Sequence, residues 1–297
     1  MKIGYVIAGT LLILAGVAII AGVIAANGNS LPKIANQEIE TQTYDFSEEI
    51  RAISVSTEID KVTVKPSDDG LSHVICEEIS SMKHVVELKD GSMSVSVNDD
   101  GSLSSKLSLL GNQTSVTIMI PEGRLDSVDI SATTGSAELD KIEAGSLKLV
   151  LSTGSARLND IKAVTVDVSA TTGSVKAENV ECAGKISVES NTGSVTLKDV
   201  NCAELAVSGK TGSAKLSNVT ACGAICVRLT TGSVKLDGVD AGSLSIHTST
   251  GSVKGTLRSG KEFRTSTTTG SVSVPQSTTG GICEITTTTG SIGIRIE

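Results

Sequence analysis

Aromatic side chains are almost missing from this chain of 297 residues, which has no tryptophan, two tyrosines (Tyr5, Tyr44) and two phenylalanines (Phe46, Phe263). A globular core of this length is normally built around several large rings. Their scarcity points to a narrow interior that Val, Ile, Leu and Ala can fill. An excess of positive charge is missing too: the formal net charge is −8, so the electrostatic footprint of nucleic-acid binding is absent. Six cysteines (Cys76, Cys182, Cys202, Cys222, Cys226, Cys283) are too few and too dispersed for a disulfide scaffold. Cys182, Cys202 and Cys222 recur every 20 residues, and the readings for them are small apolar packing, one disulfide between neighbouring coils, or a metal site, the last disfavoured because a column of thiols is the wrong shape for tetrahedral zinc.

Catalytic patterns are equally scarce. His73, His84 and His247 are far apart in sequence, and there is no glycine-rich phosphate loop, metal-ligand cluster or nucleophile elbow. Asp99 and Asp100 read as a turn. Polysaccharide-cleaving sites usually add aromatic platforms, which this chain lacks. The expectation is a protein without enzymatic activity, cofactor or metal.

One long apolar run is present. From Ile3 to Ala26 there is no charged residue, and a membrane span needs roughly 20 apolar residues. Residues 1–26 are therefore expected to be a transmembrane anchor inserted through residues 3–26, with a cleaved signal peptide as the alternative, since Val23 and Ala25 loosely resemble a cut site. The expected location is the cell membrane, single-pass, with the C-terminal part extracytoplasmic. Residues 27–50 are polar and read as a spacer.

The strongest signal is a repeat. Thr-Gly-Ser occurs nine times, with glycines at Gly135, Gly154, Gly173, Gly193, Gly212, Gly232, Gly251, Gly270 and Gly290, at intervals of 19 or 20 residues. A fixed period of about 20 residues is the mark of a solenoid. Around each glycine, apolar residues alternate with polar ones, as Leu147, Leu149 and then Ala156, Leu158 do around Gly154. Spacing by two is the strand period, and glycine breaks it as a positive-φ residue or bulge would. Each coil then holds two or three strand limbs, meeting at a Gly-Ser corner. The predicted fold is all-β, a single parallel β-helix of 19–20-residue coils. Residues 51–120 lack the triplet and are expected to be irregular capping coils; residues 121–297 carry the regular array.

With an N-terminal apolar span, an opening coil FSEEIRAISVSTEIDKVTVKP and repeats such as SLSIHTSTGSVK, the chain resembles the bacterial putative-adhesin domain of unknown function, also called the toast-rack domain. The resemblance covers roughly residues 45–297. It implies a cell-surface or envelope-associated β-solenoid, an adhesin or envelope scaffold, with a regulatory or sensory partner in envelope-stress signalling as the alternative. It supplies no catalytic residue.

Two columns of the repeat are candidate surfaces. Three residues after successive glycines stand Glu138, Arg157, Lys176, Thr196, Lys215, Lys235 and Lys254. Alternation points them outward, so Arg157, Lys176, Lys215, Lys235 and Lys254 form a basic stripe suited to an anionic envelope polymer or a membrane or surface protein. The competing reading is a solvated face, neutralised by Asp140, Glu178 and Asp237. The Thr before each glycine is expected to point inward and bond to backbone. An outward, ice-binding threonine array is disfavoured, because the position two before glycine varies (Thr133, Ser152, Thr171, Asn191, Lys210, Thr230).

Overall fold

A computed structural model describes residues 38–80, 82–99, 114–277 and 279–297. The expected membrane span, residues 3–26, lies outside the described residues. Among the described residues there is no helix, and so none long and apolar enough to cross a membrane.

The alternating segments become strands that wind into coils. Within the regular array, β10 (Glu143–Thr153), β11 (Ala156–Thr172), β12 (Val175–Thr192), β13 (Val195–Thr211), β14 (Ala214–Thr231) and β15 (Val234–Thr250) each pair in parallel with the next. Inward residues of one coil fall into three sets: Ala156 and Leu158, then Ile161 and Ala163, then Val166, Val168 and Ala170, all buried. Each coil therefore has three limbs. Between the first two, the backbone turns through a left-handed residue, namely Lys141, Asp160, Asn179, Asp199, Asn218 or Gly238 (φ 53° to 61°). Asn, Asp and Gly tolerate that conformation best. The third corner absorbs the alternation of 19 and 20 residues, as register shifts between Ala163 and Val166 and between Cys182 and Lys185.

The glycine corner is tighter than a turn requires. Gly154 has φ 145°, and a Cβ on it would lie 1.5 Å from the carbonyl oxygen of Gly135. Gly193 repeats this with φ 149° and a gap of 2.0 Å to Gly173. Both backbone freedom and the missing side chain are needed there.

Contrary to expectation, the Thr before each glycine points outward: all nine, from Thr134 to Thr289, are exposed. The corner disturbs strict alternation, so parity counted from the limb is lost one residue early. The inward polar position is three before glycine. There Ser190, Thr248, Thr267 and Thr287 donate their hydroxyls to Gly173, Gly232, Gly290 and Gly251 carbonyls at 2.9–3.1 Å. Buried hydroxyls thereby find partners.

Stacking order departs from chain order at both ends. At the C-terminal end, β16 (Val253–Leu257) pairs with β20 (Ile292–Ile296), and β20 pairs with β18 (Val272–Ser273). Likewise β15 pairs with β19 (Ile282–Thr289), which pairs with β17 (Glu262–Thr269). The last repeat, that of Gly290, is thus inserted between those of Gly251 and Gly270. Lys261, buried and 2.9 Å from Asp240, fixes the connection where the chain leaves its stack.

The same inversion opens the solenoid. A first regular coil, β2 (Ala52–Thr57) and β3 (Lys61–Pro66), lies directly against β8 (Arg124–Thr134) and β9 (Ala137–Asp140). Its other side carries β6 (Ser92–Asp99) and β7 (Ser115–Ile120), both parallel. Beyond these, antiparallel strands close the end: β5 (Met82–Lys89) on β6, and β4 (Ser72–Glu78) on β7. β1 (Glu40–Phe46) pairs with β4, so residues 40–46 of the expected spacer are a strand of this cap.

Candidate functional site

Strand register brings the basic stripe together. Glu138, Arg157, Lys176, Thr196, Lys215, Lys235 and Lys254 are consecutive in-register partners across seven coils, about 4.8 Å apart. The five cations are exposed. The neutralisation expected from the neighbouring acids is only partial. Lys176 meets Glu178 at 3.0 Å, and Glu178 also takes Lys198 at 2.6 Å. Lys198 and then Lys176 hold the Glu178 carboxyl down to about 2. Asp140, however, accepts from Asn159 at 2.6 Å. Among the described residues Arg157, Lys215, Lys235 and Lys254 have no acidic partner. Three unneutralised lysines are stacked in register, an arrangement that costs free energy unless an anion intervenes.

Near the N-terminal end the stripe runs along a groove of about 580 Å³. Ser136, Ser155, Ser174 and Ser194 line it beside Arg157 and Lys176, with Lys61 paired to Glu138 at 2.9 Å. The serines form a ladder, each backbone N–H approaching the hydroxyl oxygen of the preceding coil's serine at 3.4 Å. Sequence spacing identified this column; it did not show that most of its charge is free.

A second polar cluster escaped the sequence. Asp60 stands where the first coil would have its corner glycine, its carbonyl meeting Gly135 as Gly135 meets Gly154. Its carboxylate is fully buried and faces His84 Nε2 at 3.2 Å. His84 Nδ1 lies 3.2 Å from Glu78, which also accepts the His84 backbone N–H at 2.8 Å. Lys83, at the rim, reaches Glu78 at 3.2 Å and Glu40 at 2.5 Å. Burial disfavours the imidazolium, but Asp60 and Glu78 outweigh it and hold the His84 pKa above its ordinary value. The signal available in the sequence was the acid at position 60, where later coils place glycine. Among the described residues no group of three or more His, Cys, Asp or Glu side chains is arranged to hold a metal ion.

The cysteines are free thiols. Cys182 and Cys202 stack in register, whereas Cys222 lies one residue beyond Ala221, the partner of Cys202, and is exposed. Burial, and then Cys182 and Cys222, push the Cys202 thiol up to about 12. That suits an inert packing residue.

Comparison with known proteins places this architecture. Solved structures share the fold at low identity: a putative adhesin from Parabacteroides distasonis (TM-score 0.57, 11% identity, 87% of this chain and 98% of that one). A putative lipid binding protein from the same organism matches with TM-score 0.55, 12% identity and coverage of 86% and 97%. A putative adhesin from Parabacteroides merdae matches with TM-score 0.53, 14% identity and coverage of 88% and 97%. No curated protein matches. The family model Toastrack DUF4097 matches residues 50–184 and again 183–297, and the chain belongs to that family.

Proposed function

We propose that this protein is a membrane-anchored, extracytoplasmic β-solenoid that serves as an adhesin or envelope scaffold and holds an anionic envelope polymer along its cationic column. The observation that carries the reading is the in-register stack from Arg157 to Lys254, four of whose five cations have no acidic partner among the described residues. An extended polymer touching several coils binds through many weak contacts, whose effective concentrations multiply. The solved relatives named as adhesins agree with this role at the level of fold. Membership of the toast-rack family, whose solved relatives include proteins named as adhesins and one named as a lipid binding protein, agrees with a binding role.

The test is binding of the purified full chain to isolated cell envelopes at rising salt. Reversing Lys176, Lys215 and Lys235 to Glu abolishes binding without unfolding, because these side chains face solvent. Wild-type binding weakens steeply with salt, since exposed charges are screened over about 8 Å at physiological ionic strength. Binding that survives the triple reversal overturns the reading. A regulatory partner in envelope-stress signalling is the second reading, and the buried, titratable Asp60–His84–Glu78 cluster is what favours it.

A further inference from the structure

The inverted stacking order builds a hollow that chain order would not. Because β20 lies between β16 and β18, the position beside Lys254 in the outward column is Gly293, and the next is Ser273. The stripe's long side chains end there, leaving a groove of about 470 Å³ at the C-terminal end. Lys254 and Arg295 stand at its sides, and Ser271, Ser273 and Ser291 line it. Thr256 is paired with Arg295 and lies two residues beyond Lys254 on the same face, which puts the two cations on adjacent strands about 8 Å apart at their backbones. Neither cation has an acidic partner among the described residues, and no Asp or Glu lines the groove.

We propose that this hollow is a discrete anion site for a phosphate group, at the free end of the cationic column. A guanidinium fork donates two parallel hydrogen bonds to a phosphate, and an ammonium adds a point charge. Serine hydroxyls around the floor supply further donors, more than the two oxygens of a carboxylate can use. The missing side chain at Gly293 is what admits a tetrahedral group between the two cations. The ligand chemistry is shared by free phosphate and by the phosphodiester of an envelope polymer. The site shares only Lys254 with the proposed column and otherwise rests on its own geometry.

Gly293 also gives the means to test it. Its φ lies outside the left-handed region, and an added Cβ would meet nothing nearer than Lys254 Cγ at 3.9 Å. Gly293→Leu therefore fills the hollow without removing a charge. The full chain is titrated calorimetrically with inorganic phosphate and with long-chain polyphosphate. Wild type binds both, and Gly293→Leu and the Lys254→Ala/Arg295→Ala pair each weaken inorganic phosphate at least about tenfold, while Lys176→Glu, four coils away from Lys254 and beyond the screening length, leaves it unchanged. A polymeric source shows as polyphosphate binding that is tighter per phosphate and falls in the triple reversal of the column. A free-phosphate source shows as equal affinity per phosphate in both arms. Inorganic phosphate affinity that is absent from wild type, or is untouched by Gly293→Leu, overturns the cradle. The column reading fails separately, through envelope binding that survives the triple reversal.

Discussion

The glycine at each corner is held by a carbonyl, not by its dihedral angle alone. Strained φ costs about 1–3 kcal/mol for a residue with a side chain. At Gly193 the Cβ would also overlap Gly173 O at 2.0 Å, so Gly193→Val is expected to cost about 3 kcal/mol or more in urea unfolding. Gly123, with nothing within 4 Å of a built Cβ, is the control: Gly123→Ala stays within about 0.5 kcal/mol. Equal effects would mean that the corner is ordinary extended backbone. Glycine recurrence made this corner legible in sequence. The neighbouring threonine was not, because alternation counted through a limb fails at the residue where the chain turns.

His84 supplies the pH dependence at the same scale. Its folded pKa is raised against an unfolded value of about 6.5 by Asp60 and Glu78, despite burial. Its contribution to stability is therefore complete below about 6.5 and is lost as pH rises through the folded value. The groups facing it are Asp60 from the β2–β3 turn and Glu78 from β4, with Lys83 and Glu40 beyond. His73, paired with Asp45 and Asp69 at the surface, also titrates upward, so the measurement belongs in a His73→Gln background. Hydrogen exchange at β5 amides is expected to quicken with pH beyond the intrinsic rate. His84→Gln removes that dependence. Parallel behaviour in both proteins would show that the cluster does not hold the cap.

At the scale of elements, the 20-residue period showed that parallel limbs exist and which residues face inward, but it could not show which coil lies beside which. Repeats with nearly equal corners stack in any order as far as side-chain pattern is concerned. What decides here is the end of the array. β17 faces inward with Thr265 and Thr267, whereas β19 has Ile285 and Thr287 fully covered. A strand with a polar inner face suits an open edge, and the more apolar β19 takes the covered slot. Amides of β19 are accordingly expected to exchange more slowly than those of β17, although β19 lies nearer the chain end. The cap was obscure for a related reason: β1, β4 and β5 pair antiparallel, with no shared period to reveal their partners.

At the scale of the whole solenoid, surfaces arise from stacking in space. The cationic column, the serine ladder and the hollow at Gly293 are each made by residues of different coils, and the last depends on the repeat of Gly290 lying between those of Gly251 and Gly270. Ser252 and Ser291 are neighbours in that order, with the Ser291 backbone N–H 3.2 Å from the Ser252 hydroxyl, while Ser252 and Ser271 are separated by a coil. In a background with the exposed Cys222 replaced by Ser, cysteines at 252 and 291 are expected to cross-link on mild oxidation, because stacked strands bring Cα atoms to about 4.8 Å, within disulfide reach. Cysteines at 252 and 271 are expected to remain reduced, two strand spacings apart. Cross-linking of the second pair and not the first would contradict the stacking order, and with it the groove built on it.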